Sequence, residues 1–182
     1  MNNYRQKIRR MEKRFVELLP DVNMALVALQ GSRMLGLAQK NDADYDYRGV
    51  YVARNDELLS LNQKPREQYE YTDSRDHQMD YVFYEVEKFI RLAMKGNPSV
   101  IHIFFVPKFN YVDSVGQYLI DNVNVFLGEQ AIRNAFAGYA MSQMLYLKRN
   151  HKFPARAKKE KHIRHCFRLF DTGQELLETG KI

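Results

Sequence analysis

A buried strand that leads into a Gly-Ser turn is the feature that most constrains this chain. Six apolar residues run without interruption from Met24 to Leu29, and Gly31-Ser32 follow after a single glutamine. An uninterrupted apolar run of this length is typical of a strand buried on both faces. A helix that starts at such a turn presents unpaired backbone N–H groups, and its dipole favours an anion. The pattern therefore predicts a phosphate-binding turn at Gly31 and Ser32.

Two aspartates lie a short distance downstream, in a Tyr- and Val-rich segment that predicts a second strand from 44 to 52. Side chains of a strand alternate between its faces, so Asp44 and Asp46 are expected on one face and Tyr45 on the other. Neighbouring carboxylates repel one another unless a cation neutralises them. Magnesium, or manganese in its place, suits sites that combine one or two carboxylates with substrate phosphates. The pair indicates a metal site that a nucleoside triphosphate would complete.

The rest of the chain alternates helices and strands over the first hundred residues and is helical afterwards. The predicted elements are a helix at 3–19, a loop or irregular hairpin at 62–75, a strand at 78–84, a helix at 85–95 and helices beyond Asp113. The apolar segment 99–106 is too short for periodicity to distinguish a strand from a short helix, and both stay open. This order predicts an α+β fold, with a small mixed sheet flanked by helices in residues 1–110 and a helical C-terminal region in 111–182.

Size and composition set the expected environment. With 182 residues, of which 45% are hydrophobic, the chain can bury one core and a small helical appendage. Its single cysteine, Cys166, cannot form an internal disulfide. Neither a secretory signal nor an apolar run long enough to span a bilayer is present in the sequence. We therefore expect a cytoplasmic protein with no membrane partner.

Positive charge is concentrated near the C-terminus. Between Lys148 and Arg168 nine basic residues are opposed only by Glu160. A basic segment of this density attracts polyanions such as a nucleic-acid backbone or a triphosphate. The alternative is a solvated helix face with its preceding loop, and charge alone does not decide between them.

The run GSRMLGLAQKNDADYDYRGVYV, at 31–52, resembles the signature of the DNA polymerase beta-like nucleotidyltransferase superfamily, a Gly-Ser followed by a loop and an acidic-x-acidic strand. It is similar to a branch of predicted nucleotidyltransferases in which GSR, DYDYRGV and a later KGNP recur, here at 95–98. The resemblance implies a magnesium-dependent enzyme that uses Asp44 and Asp46 as metal ligands. It also implies a third carboxylate on a later strand, for which Asp80 is the candidate.

The resemblance also assigns residues to the nucleotide. The candidate nucleotide-binding residues are Gly31, Ser32, Arg33, Arg48 and Lys95, and the candidate catalytic and metal residues are Asp44, Asp46 and Asp80. In the alternative interpretation, Arg33 and Arg48 do not bind the nucleotide and instead form structural salt bridges with Asp42 or Asp44. His162 and His165 share a helix face, but a zinc site would need further ligands at suitable spacing.

The expected reaction transfers a nucleoside monophosphate from an NTP, most simply ATP, to an acceptor hydroxyl and releases pyrophosphate. The sequence does not identify the acceptor, and both RNA and protein stay open as alternatives. One alternative is an antitoxin or regulatory protein of the same fold that AMPylates or binds a protein partner. The other is an enzyme that modifies RNA ends, which the basic segment favours.

Overall fold

One mixed sheet holds most of the residues that the sequence singles out. The computed structural model describes residues 22–34, 45–61, 64–72, 79–149 and 156–182, with all their side chains except those of residues 32, 33, 156–158 and 161. The strands in these ranges are β1 (Asn23–Gln30), β2 (Tyr45–Val52), β3 (Gln68–Thr72), β4 (Met79–Glu85) and β5 (Phe109–Val112). They pair in the order β3-β4-β2-β1-β5. The helix predicted at 3–19 lies outside the described residues.

Strand directions bring three strand ends to one edge of the sheet. β1 is antiparallel to β2 and to β5, while β4 is parallel to β2 and antiparallel to β3. The end of β1 therefore lies beside the start of β2, and the start of β4 lies beside the start of β2 on its other side. This edge is where the Gly-Ser turn and the predicted acids occur in the sequence.

The helices follow the same chain order. They are α1 (Gly31–Met34), α2 (Asn55–Leu58), α3 (Val86–Met94), α4 (Pro98–Phe104), α5 (Ser114–Asp121), a 3-10 turn (Val123–Phe126), α6 (Glu129–Arg149) and α7 (Arg156–Thr179). None of the helices within the described ranges is both long enough and apolar enough to cross a bilayer.

Capping explains the corner between α3 and α4. Gly96 has φ +67 and lies so close to α6 that an added Cβ would stand 2.7 Å from the carbonyl oxygen of Ala131. The Asn97 side chain accepts a hydrogen bond from the Ser99 N–H at 3.0 Å, which caps α4. Pro98 occupies the first helical turn, where its missing N–H costs nothing. Within the Lys-Gly-Asn-Pro motif, Gly96, Asn97 and Pro98 thus build a corner that packs on α6.

The two faces of the sheet have different cores. One face is aromatic, with buried rings that include Tyr47, Tyr51, Tyr81 and Phe83. Tyr47 and Tyr51 are therefore packing residues of this face. The opposite face packs against helices, and its core joins strand residues such as Val50 to helix residues such as Phe89, Phe136, Leu169 and Leu176.

Close packing holds the last two helices together. An added Cβ at Gly173 of α7 would stand 2.8 Å from the Cβ of Phe136 on α6, so the glycine permits the close contact. Buried Ala140 and Leu169 belong to the same core as the sheet residues Ala25 and Leu26. The C-terminal helices therefore form a wall against the helix-covered face of the sheet.

The α+β fold class and the main strands are confirmed. The segment 99–106, left open by the sequence, is mostly helix α4. Part of the predicted loop or hairpin at 62–75 is strand β3, and β5 was not predicted at all. The boundary at residue 110 falls inside β5, and the division into two domains stays a prediction.

Candidate active site

Three polar side chains form a row across the site edge of the sheet. Gln30 at the end of β1 pairs with Asp46 of β2, and Asp46 pairs with Asp80 of β4. Adjacent strands lie about 4.8 Å apart, and directly paired residues project to the same face. That face is the helix-covered one, because Val50 and Tyr84, which follow Asp46 and Asp80 at even spacing, belong to its core. The structure thus brings two of the three predicted acids side by side.

Gly31 places the turn against one of these acids. Its φ of +76 is in the left-handed region that favours glycine. An added Cβ would stand 2.2 Å from Asp46 Oδ2, closer than any van der Waals contact allows. The backbone of the Gly-Ser turn and the Asp46 carboxylate are therefore immediate neighbours. Asp44, and the side chains of Ser32 and Arg33, lie outside what the structure describes.

Asp80 has an unusual environment for a carboxylate. Its Oδ1 is buried and accepts no hydrogen bond from the residues that the structure describes. A buried acceptor without a partner is destabilising, and a buried charge more so. A divalent cation shared with Asp46 would supply the missing contact, so the donor set fits the predicted metal. Within the described ranges no group of three His, Cys, Asp or Glu side chains comes together, and Asp44 would be the third ligand.

A cavity of about 280 Å³ opens beside Asp46. The sheet edge and α1 form one side, α4 forms another, and α6 with α7 close the third. The lining residues are Gln30, Gly31, Met34, Asp46, Arg48, Pro98, Ser99, His102, Tyr139, Gln143, His165, Arg168 and Leu169. Asp80 does not line the cavity and lies one strand beyond Asp46. Both polar and charged groups therefore surround a space next to the paired acids.

Two arginines bring positive charge to this cavity. Arg48, on the same sheet face as Asp46, donates from Nη1 to the Tyr84 hydroxyl at 3.3 Å. Burial lowers the pKa of the Arg168 guanidinium on α7, and the charge of Asp46, which lies within electrostatic range, partly offsets this effect. The cavity thus pairs cationic walls with an acidic edge, which suits a phosphate ester bound with a cation.

His102 and His165 add two imidazoles. Burial lowers the pKa of His102 to about 4, and the nearby Arg168 and His165 act in the same direction. His102 is therefore neutral at physiological pH, with its ring 6.0 Å from that of Phe136. His165 Nδ1 lies 3.0 Å from Arg168 Nη2. His162 lies outside the cavity lining, and its Nδ1 is 2.9 Å from Gln143 Oε1.

The predicted nucleotide-binding residues divide into two groups. Gly31 and Arg48 line the cavity. Lys95 ends α3 with an exposed side chain and does not line it, so its role stays a prediction. Gln30, His102 and Arg168 also line the cavity, and the sequence did not predict them as cavity residues. His165 and Arg168 at i,i+3 on one helix were a usable signal, whereas no face could be assigned to His102 while its segment was open between strand and helix.

Comparison with known proteins agrees with this geometry. No curated protein gives a significant match to the chain. The model of the RNA repair pathway DNA polymerase beta family (RlaP) matches residues 2–182, nearly the whole chain. The chain therefore belongs to the RNA repair pathway DNA polymerase beta family, a family of polymerase beta-like nucleotidyltransferases.

Proposed function

We propose that this protein transfers a nucleoside monophosphate from an NTP, with ATP as the expected donor, to a hydroxyl at an RNA end. One observation supports the chemistry above all others: Asp46 and Asp80 are direct partners on parallel strands, and Gly31 lies against Asp46. The description of the family, an RNA repair pathway, supports RNA as the acceptor. The proposed setting is the cytoplasm, because the single thiol of Cys166 is buried and free.

Asp46 and Asp80 are the described residues that would hold the metal, with Asp44 as the further ligand that the sequence predicts. The unpaired, buried Asp80 Oδ1 supports this assignment. Magnesium bound there, or manganese in its place, would polarise phosphate oxygens and stabilise the negative charge of the transition state.

The chain's own groups would bind and orient the reactants. Backbone N–H groups of the Gly31-Ser32 turn would donate to phosphate oxygens, and Arg48 would add positive charge. Asp80 would accept the proton of the acceptor hydroxyl as that oxygen bonds to the α-phosphorus. The bond from the α-phosphorus to the bridging oxygen breaks, and pyrophosphate leaves with the electron pair.

A surface beside the cavity supports a nucleic-acid acceptor. Tyr139, Gln143 and Tyr146 share one face of α6, and the basic Lys148 and Arg149 end the helix; we call these five residues the acceptor strip. Tyr139 and Tyr146 are 40% and 48% exposed, and the Tyr146 ring lies 5.0 Å from the ring of His162. Bases stack on exposed aromatic rings, and basic side chains attract the phosphate backbone. The acceptor strip therefore offers both contacts to a single strand that approaches the site along α6.

The test uses purified protein, magnesium, each NTP in turn and short RNAs that end in a 3′-hydroxyl or a 3′-phosphate. We expect mass spectrometry to find the hydroxyl-ended RNA heavier by one or more nucleotides, with pyrophosphate released in equal number. Asp46→Asn and Asp80→Asn should abolish the product. Asp171→Asn, an acid-to-amide change on the exposed side of α7, is the matched control and should retain activity.

Two outcomes would contradict the proposal. If the wild type and Asp46→Asn release pyrophosphate equally, the paired acids do not take part in the reaction. If a protein gains the mass of one AMP while every RNA stays unmodified, the acceptor is a protein and not RNA. That second result would favour the antitoxin or regulatory alternative.

A further inference from the structure

Polar atoms without partners are concentrated around the cavity. Among the described residues, the buried side-chain atoms that lack a hydrogen-bond partner are Gln30 Nε2, Asp80 Oδ1, His102 Nε2 and Arg168 Nε. Three of these four residues line the cavity, and the fourth is the strand partner of Asp46. Buried polar groups are nearly always hydrogen-bonded, so a cluster of exceptions calls for a bound ligand. The cluster lies where the substrate of the proposed reaction would bind.

Arg168 is the charged member of this cluster on the helical side. It projects from α7 into the cavity, opposite the sheet edge that holds Asp46. A guanidinium carries donors in a rigid fork, which matches the oxygens of a phosphate group. Its Nε is buried without a hydrogen-bond partner among the described residues, and Arg168 lines the cavity, so a ligand bound there would complete its hydrogen bonding.

His165 orients this guanidinium. Arginine has only donors, so in the 3.0 Å contact Arg168 Nη2 donates and His165 Nδ1 accepts. The neutral His165 ring therefore carries its proton on Nε2. The two residues are three positions apart on the same helix, so their side chains are neighbours on one helix face. The contact that fixes the orientation of the guanidinium therefore lies within α7 and does not depend on packing between distant elements.

The chemistry of the cavity selects an anion. Arg48 and Arg168 contribute positive charge, and the imidazole of His102 contributes an unpaired Nε2. In the proposed reaction the α-phosphate binds at the paired acids, and the cavity beside Asp46 would hold the two phosphates beyond it. The oxygens of inorganic pyrophosphate would supply hydrogen-bond acceptors for the unpartnered Gln30 Nε2 and Arg168 Nε.

We propose that Arg168, oriented by His165, binds the pyrophosphate end of the NTP and stabilises it as it leaves; this inference rests on the proposed nucleotidyl transfer. As the bond to the α-phosphorus breaks, the electron pair stays on the pyrophosphate oxygen, and Arg168 keeps its protons while it donates to that oxygen. Arg168 would thus be a catalytic residue supplied by the C-terminal helix, and His165 a positioning residue.

The experiment measures the binding of inorganic pyrophosphate, with magnesium, by calorimetry, and the inhibition of RNA-end transfer by the same ion. We expect Arg168→Ala to weaken pyrophosphate binding by about 10- to 100-fold, the usual effect of losing a charged hydrogen bond. The pyrophosphate affinity of Arg168→Lys should lie between those of the wild type and Arg168→Ala, because lysine keeps the positive charge but lacks the forked donors of the guanidinium. Arg164→Ala removes an exposed arginine one turn earlier on α7 and should change binding by less than about twofold.

His165 provides a second test with a matched pair. His165→Asn retains an acceptor near the position of Nδ1 and should bind pyrophosphate almost as wild type does. His165→Leu retains the volume but not the acceptor, and should raise the inhibition constant and lower kcat. If both variants lose binding equally, with equal falls in melting temperature, His165 is not a positioning residue.

Unchanged pyrophosphate affinity in folded Arg168→Ala or Arg168→Lys would overturn the inference. If the wild type still transfers nucleotides in that case, the proposed function stands without this role for Arg168. A wild type that neither binds pyrophosphate nor transfers a nucleotide would overturn both. Should Arg168→Ala fail to fold, Arg168→Lys gives the same comparison.

Discussion

Asp46 and Asp80 are direct partners in the parallel pairing of β2 with β4, although 34 positions separate them in the chain. Their side chains lie on the same face of the sheet, and Oδ1 of Asp80 accepts no hydrogen bond from any described residue. Two acids held this way repel one another, and the arrangement is favourable only with a cation. The fold thus accepts a loss of stability from the repulsion between Asp46 and Asp80, at the position where the proposed reaction needs two carboxylates to bind a metal ion.

Asp80→Asn should separate stability from activity. Without metal, the change alters a carboxyl group whose buried Oδ1 has no hydrogen-bond partner among the described residues, so we expect the free energy of unfolding to stay the same or to rise by about 1 kcal/mol. Nucleotide transfer should fall at least 100-fold, and the stabilisation of the wild type by magnesium should disappear. Urea unfolding with and without magnesium, together with the transfer assay, measures these effects. A variant that loses stability but transfers normally would indicate a structural role.

Gly31→Ala should damage the site locally. The new Cβ would meet Asp46 Oδ2 at 2.2 Å, and the residue would have to keep φ +76. We expect a loss of about 1–2 kcal/mol of unfolding free energy and at least a tenfold loss of transfer activity, because the carboxylate must move. Gly138→Ala is the control: it lies within α6 with no atom near the added methyl group, and should stabilise the protein by about 0.5–1 kcal/mol.

His102 should make the protein less stable in mild acid. Its pKa is about 4 in the folded protein, against an ordinary value of 6.5. Above pH 6.5 both states are neutral, but between 6.5 and 4 the unfolded chain binds a proton that the folded protein does not. We therefore expect a loss of about 2 kcal/mol between pH 7 and pH 5 from this residue. Urea unfolding of wild type and His102→Gln across this range isolates the effect, since the other histidines remain in both.

The acceptor strip should bind single-stranded RNA in a salt-dependent way. Lys148→Ala and Arg149→Ala should each weaken binding about two- to tenfold and make the salt dependence shallower, since each removes a phosphate contact. Tyr146→Ala should weaken binding by about 1–3 kcal/mol through lost stacking, with little change in the salt dependence. Fluorescence anisotropy at several salt concentrations measures both, and Lys108→Ala, an exposed lysine before β5, is the control. Equal losses in that control would assign the binding to net charge alone.

Local patterns predicted the strands around the site well. The apolar run before the Gly-Ser turn became β1, the Tyr- and Val-rich segment became β2, and the segment containing Asp80 became β4. Each prediction rests on residues close together in the chain. β3 alternates polar residues with tyrosines, but it lies within a long polar stretch typical of a loop. β5 is a four-residue strand stabilised by its pairing with β1.

The sequence by itself determined the strands β1, β2 and β4 and the Gly-Ser turn that follows β1, since these depend on side-chain size, alternation and turn chemistry along a short stretch. Only the tertiary structure decided that Asp80 pairs with Asp46, because register between distant strands depends on the whole sheet. It also decided that His102 and Arg168 line the same cavity. Their approach depends on how α4 and α7 pack over the sheet, and no local periodicity encodes that contact.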